Sequence, residues 1–139
     1  MPLWHIYHPT DTYTAEDKKE FAVRITDMYG TFLPRFYVGV FFHEVQSSSF
    51  YIGGEPTGDF VRIVIEHIAR QTSGEEAVAR LHKALGRIVE PFITERGLRW
   101  EMHIDETPIE LWSVNGLIAP PPNSEAEARW KADNKPSPY

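Results

Sequence analysis

The chain has no cysteine among its 139 residues. That excludes disulfides, thiolate nucleophiles and cysteine-based metal sites. No apolar run approaches the roughly 18 residues needed to cross a membrane. Lysine- or arginine-rich runs are also missing and the formal net charge is −6, so nothing concentrates enough positive charge to neutralise a row of phosphates. Neither a membrane nor a nucleic acid is therefore an expected partner. The amino-terminal residues lack a basic segment followed by an apolar one, so no secretory signal is expected and a cytoplasmic location is the default. The 6 histidines are scattered without a facing set of ligands, so no metal site and no cofactor is expected.

What is present describes an ordinary globular domain, with 42% apolar and 13% aromatic residues. Proline stands second, behind the initiator methionine, and opens an alternating apolar run through His8. Proline is small enough at that position for Met1 removal to be expected. Pro2 would then carry a secondary amine, which no internal residue can offer. An α-amino group titrates far closer to neutrality than a lysine. In an apolar pocket beside fixed positive charge its free base persists at pH 7, and it can serve as general base and then general acid. If Met1 is retained, the nitrogen is an amide and this chemistry is lost.

The hydrophobic pattern divides the chain into two similar halves, about 2–58 and 59–118, followed by a Pro-rich tail at 119–139. In the first half, Pro2–His8 reads as a strand. Thr14, with a carboxylate at Asp17, reads as the cap of a helix whose apolar face is Phe21, Ile25, Met28 and Phe32. Gly30 and Pro34 stop that helix, and Phe36–Phe42 reads as a buried strand. In the second half, Val61–Ile68 reads as a strand and Ser73 as a cap. Val78, Leu81, Leu85, Ile88, Val89 and Phe92 mark a second, longer helix that Gly97 ends, and Leu98–Ile104 reads as the fourth main strand. A β-α-β unit used twice gives one α/β sheet with both helices on one face. Its other face is expected to be covered by further copies. In the tail, Glu125–Trp130 fits one or two helical turns, and Trp130 either anchors on a neighbouring subunit or belongs to a solvated segment.

Strand-initial Pro2, Ile25-Thr26-Asp27 in the first helix, Gly53-Gly54, Arg70 after the third main strand, and Glu106-Thr107-Pro108 through Gly116 resemble one known group. This is the tautomerase superfamily and, within it, the cis-3-chloroacrylic acid dehalogenase-like proteins. The resemblance implies a tandem β-α-β tautomerase fold with a four-stranded mixed sheet, and a homotrimer with its sites near subunit junctions. It also implies a small carboxylate substrate, with Pro2 as the catalytic nitrogen and Arg70 as carboxylate binder. An arginine suits that task, because its planar fork matches a carboxylate and stays charged. The competing reading of Arg70 is a salt-bridged or solvated residue at a strand end.

The departures from the group matter as much. Its second arginine falls at Ser73, its helix-borne histidine at Tyr29, its late-strand tyrosine at His103, and its water-activating glutamate at Val114, with Asn115 the nearest polar neighbour. Without the glutamate, hydrolytic chemistry on an unactivated alkene lacks its general base. Keto–enol tautomerisation of a small 2-oxo or enol acid needs no such group. His103, Tyr29 and Asn115 are then candidates to polarise the substrate oxygen, and Trp112 either walls the pocket or packs a contact. His103 can equally be a satisfied strand histidine, and Tyr29 a core residue. His5 and His67 read as structural. Two alternatives stay open: a dehalogenase-like hydratase, dehalogenase or decarboxylase of a three-carbon acid, and a non-catalytic trimeric scaffold.

Overall fold

The computed structural model of the chain describes residues Met1–Tyr139. Its centre is a four-stranded sheet in the order β2-β1-β5-β6. These strands are β1 (Pro2–Pro9), β2 (Gly39–Val45), β5 (Phe60–His67) and β6 (Arg99–Glu106). β1 runs parallel to β2 and β5 parallel to β6, each pair joined through a helix, α1 (Ala15–Gly30) or α2 (Glu75–Val89). The two units meet back to back in the antiparallel pairing of β1 with β5, where Pro2 stands opposite His67. Two small hairpins flank the sheet: β3 (Tyr51–Ile52) with β4 (Glu55–Pro56), and β7 (Ser113–Val114) with β8 (Leu117–Ile118). A third helix, α3 (Glu125–Asp133), completes the fold.

Alternation decides which face each strand side chain takes. Trp4 and Ile6 of β1 and Val61, Ile63 and Ile65 of β5 are fully buried under the helices. They meet Phe21 and Ile25 of α1 and Leu85, Ile88 and Val89 of α2. The residues between them, His5, Tyr7, Arg62 and Glu66, lie on the open face and are only half-buried. α1 begins as its sequence implies: the Thr14 hydroxyl accepts from the Asp17 N–H, and the Asp17 carboxylate accepts from the Thr14 N–H. The Arg96 guanidinium beside Asp17 holds that carboxyl down to about 2.

Several local expectations are corrected. Ser73 is not the cap of α2. Gly74 takes that place at φ 87°, a conformation a side chain at this point would strain, and no side chain caps the helix. α2 is no longer than α1, with 15 residues against 16. It ends at Val89, and Phe92 is buried in the segment beyond it. Phe32 and Val78 are 48% and 40% exposed and so lie off the core faces assigned to them. Phe36 and Tyr37 sit in a single 3₁₀ turn rather than a strand. Pro34 precedes that turn, and Tyr37 is locked edge-to-face against Trp112 and Trp130, so tertiary packing overrides a strongly strand-favouring sequence.

Trp130 settles into its own chain rather than onto a neighbour. It is fully buried in the core cluster, and its indole N–H donates to the Ser137 carbonyl at 2.7 Å. Tyr139 donates to the Ile118 carbonyl at 3.2 Å, so the irregular residues after α3 are tied back too. No helix is long and apolar enough to cross a membrane.

Candidate active site

A cavity of about 180 Å³ opens at the end of the sheet where β1 starts and β5 finishes. It is lined by Pro2, by the polar side chains of Tyr29, His67, Arg70 and Thr72, and by an apolar wall that includes Met1, Met28, Phe32, Leu33 and Leu81. The fold brings Pro2, Tyr29 and Arg70 together from three separate elements. Pro2 is placed by the β1–β5 register, Tyr29 by the last turn of α1, and Arg70 by the chain leaving β5.

Met1 lines this cavity. Its carbonyl accepts from the Ile68 N–H at 2.9 Å, extending the ladder one step past Pro2. Its α-amino group is pushed down to about 4, first by burial and then by the Arg70 guanidinium, with Glu127 acting in the opposite sense. The Met1 amine is therefore a free base at neutral pH.

Tyr29 is 3% exposed, and its hydroxyl links two other side chains. It receives the Trp4 indole N–H at 3.4 Å and lies 2.8 Å from His67 Nε2. The indole can only donate, so the tyrosine proton is best used toward Nε2, which assigns the imidazole proton to Nδ1. Burial pushes the Tyr29 hydroxyl up and the His67 imidazole down. Both are neutral at pH 7. His67, read from the sequence as structural, stands directly opposite Pro2 and lines the cavity. Its strand parity, and its place three residues before Arg70, were the signals available.

Arg70 is both cavity wall and salt-bridged. Nη1 donates to its neighbour's carbonyl at Ala69 (2.8 Å), and Nη2 donates to both oxygens of Glu127, at 3.1 and 2.9 Å. The Nε–H makes no hydrogen bond within the chain. Glu127 had no signal in the sequence; it belongs to α3, 57 residues further on.

The other candidates lie elsewhere. His103 is on the open face of the sheet, bonded to Arg62 and, through Nε2, to Asp105 at 3.2 Å. It is placed there because it shares the parity of Glu101 and Asp105, opposite to that of Met102 and Ile104 under the helices. Asn115 forms the tip of the β7–β8 hairpin with Gly116, at φ 52° and 79°. That pair supplies the two positive φ values a tight hairpin demands, and it explains the asparagine without catalysis. Trp112 packs on Tyr37 with ring centroids 4.7 Å apart. Ser73 and Val114 do not line the cavity.

Comparison with known proteins follows this geometry. Residues 1–135 match the family model described as "Putative oxalocrotonate tautomerase enzyme". Among solved structures, RhCC from Rhodococcus jostii RHA1 is 42% identical with a TM-score of 0.95, covering 99% of each chain. A "probable enzyme" from the thermophilic fungus Aspergillus fumigatus is 37% identical with a TM-score of 0.93, over 100% of this chain and 98% of that one. N1, a member of the cis-3-chloroacrylic acid dehalogenase family, shares the fold at 15% identity and a TM-score of 0.72, over 94% of this chain and 96% of that one. No curated protein matches the chain.

Proposed function

The chain belongs to this tautomerase family, and we propose that it moves a proton between oxygen and carbon of a small 2-oxo or enol carboxylic acid, with the Pro2 nitrogen as base and then acid once Met1 is removed. The observation that carries this reading is the corner itself. The first residue's amine is buried against an arginine and held at about 4. Removal of Met1 moves the free amine to Pro2, one residue further along the same strand and a wall of the same cavity.

In the ketonising direction, the Pro2 nitrogen takes the enol hydroxyl proton as the carbonyl forms. The alkene electron pair then takes a proton at C3 from the resulting ammonium, so no water is consumed. Arg70 offers its free Nε–H to the substrate carboxylate, a charge-assisted bond. Neither His103 nor Asn115 lines the cavity, and with the Tyr29 proton directed to His67 Nε2, polarising the substrate oxygen falls to the His67 Nδ1–H that Tyr29 orients. Such preorganised groups supply several kcal/mol (roughly 3–4 for a single well-placed donor) in a dry site.

The open sheet face is assigned to contacts between copies in a homotrimer. Phe41 is 53% exposed there, and a fused 4-OT protein of the same fold (20% identity, TM-score 0.67, over 84% of this chain and 94% of that one) is described as a symmetric trimer. Light scattering on the purified protein tests this, and a monomer at micromolar concentration would refute it.

The test of function is ketonisation of phenylenolpyruvate and 2-hydroxymuconate by Met1-free protein, beside Pro2→Ala and Arg70→Ala. Turnover that falls at least tenfold in both variants supports the reading. No turnover above background in the Met1-free parent would sink it.

A further inference from the structure

We propose that Glu127 of α3 is a positioning residue of the Pro2 site. It fixes the Arg70 guanidinium at the cavity and partly neutralises it, so the carboxyl-terminal helix sets how strongly the site holds an anionic substrate. This rests on the tautomerase reading above.

Glu127 is a carboxylate only 5% exposed. Both of its oxygens face Arg70 Nη2, and Oε2 also accepts from the Asn123 N–H at 2.7 Å. Its own N–H donates to the Ser124 hydroxyl that caps α3, at 3.2 Å. The carboxylate is therefore held by two partners and its backbone by a third, and it in turn holds the guanidinium.

Attaching α3 to the body of the protein does not require this pair. Trp130, buried against Phe36 and Tyr37, already does that, and a buried ion pair adds little net stability beyond what an apolar pair would give. What the pair does change is the arginine. With Nη2 and one Nη1 proton committed to Glu127 and Ala69, the groups left for a ligand are Nε–H and the second Nη1 proton. The substrate carboxylate then meets a guanidinium whose charge is already half answered. Arg70 is the one guanidinium on the cavity wall, and Glu127 opposes it. Around the amine the ionisable groups are Arg70, Glu127, His67 and Tyr29, with Glu106 behind His67.

Two Met1-free variants separate reach from charge. Glu127→Gln keeps an acceptor oxygen toward Arg70 and deletes the charge. Glu127→Asp keeps the charge and shortens the reach. With E127Q, KM for phenylenolpyruvate and the Kd of the unreactive 3-phenylpropionate, measured calorimetrically, should each fall about tenfold, the effect of removing one nearby unit charge in a partly screened site. The acid limb of kcat/KM should move to lower pH. With E127D the acid limb should stay in place while KM and Kd rise, because Arg70 loses its orientation.

If both variants match the parent in KM, Kd and acid limb, the pair only anchors α3 and the proposal fails. Should E127D not fold, the fall in KM and Kd and the shifted limb in E127Q decide alone. If the parent turns over neither enol acid, the functional reading falls. The phenylpropionate Kd still decides Glu127: a tighter E127Q supports it and an unchanged one overturns it.

Discussion

Acid should destabilise this protein in a window set by two buried histidines, and the size of the loss follows from their surroundings. His8 is fully buried; its Nδ1 bonds the Pro9 carbonyl at 2.8 Å, and its Nε2 has no partner. The neighbours are the ring edges of Tyr13 and Phe42, so a proton on Nε2 would point into apolar space. His67 lies against Tyr29 and the amine corner. Burial pushes both imidazoles below their ordinary value of 6.5. The unfolded chain therefore takes up these protons before the folded one does, and falling pH favours unfolding. The histidine share of the loss starts near pH 6.5 and continues until the folded imidazole itself charges; the Met1 amine, held at about 4, adds its own loss from nearer pH 8. Between pH 7.5 and 5.5 each histidine can contribute at most about 1.4 kcal/mol, the value of one pKa unit. Urea denaturation of the parent, His8→Gln and His67→Gln at pH 7.5, 6.5 and 5.5 measures this. Each variant should lose roughly 1 kcal/mol less than the parent across that interval. Taking the difference between variant and parent cancels the amino-terminal amine, and the Asp17 carboxyl, held at about 2, titrates below the window. A parent whose stability is flat from 7.5 to 5.5, or variants that lose as much as the parent, would refute the reasoning.

Three further outcomes are expected. Trp130→Ala should cost about 3–5 kcal/mol in chemical denaturation, the usual loss for a fully buried aromatic; a loss under 1 kcal/mol would mean that α3 is not part of the core. Tyr29→Phe leaves the Trp4 indole and His67 Nε2 without their shared partner and should cost about 1–3 kcal/mol by calorimetry; an unchanged melting temperature would show the hydroxyl to be dispensable. A form that keeps Met1 should turn over no enol acid, checked by intact mass beside the ketonisation assay; full activity with Met1 present would place the base elsewhere.

The sheet and α1 were legible because their signals are local. Alternation in Pro2–His8 and Val61–His67 needs only neighbouring residues to set the buried face, and the Thr14–Asp17 box is complete within four positions. The site was legible in part. Pro2, Tyr29 and Arg70 converge, but the group bonded to Tyr29 is His67, 38 residues away, and the group bonded to Arg70 is Glu127. Neither pairing leaves a trace in spacing, since each depends on how β5 and α3 lie in three dimensions. His103 follows the polar parity of β6 that the sequence shows, and that parity places it on the open face of the sheet, outside this cavity. The strand expected at Phe36 failed because Tyr37 gains more from the Trp112 and Trp130 rings than from a ladder.

The pairing of Arg70 with Glu127 also orders events in time. On the ribosome, every strand of the main sheet has been synthesised once Glu106 emerges, and the sheet needs no later residue for its hydrogen bonds. Arg70 at that moment has no carboxylate opposite it, and Tyr37 has no tryptophan from α3 beside its ring. A nascent chain can thus own a finished sheet and an unfinished pocket. α3, made after every strand of the sheet, closes both the core and the charge balance of the cavity, so maturation of the site waits on residues made after the sheet itself.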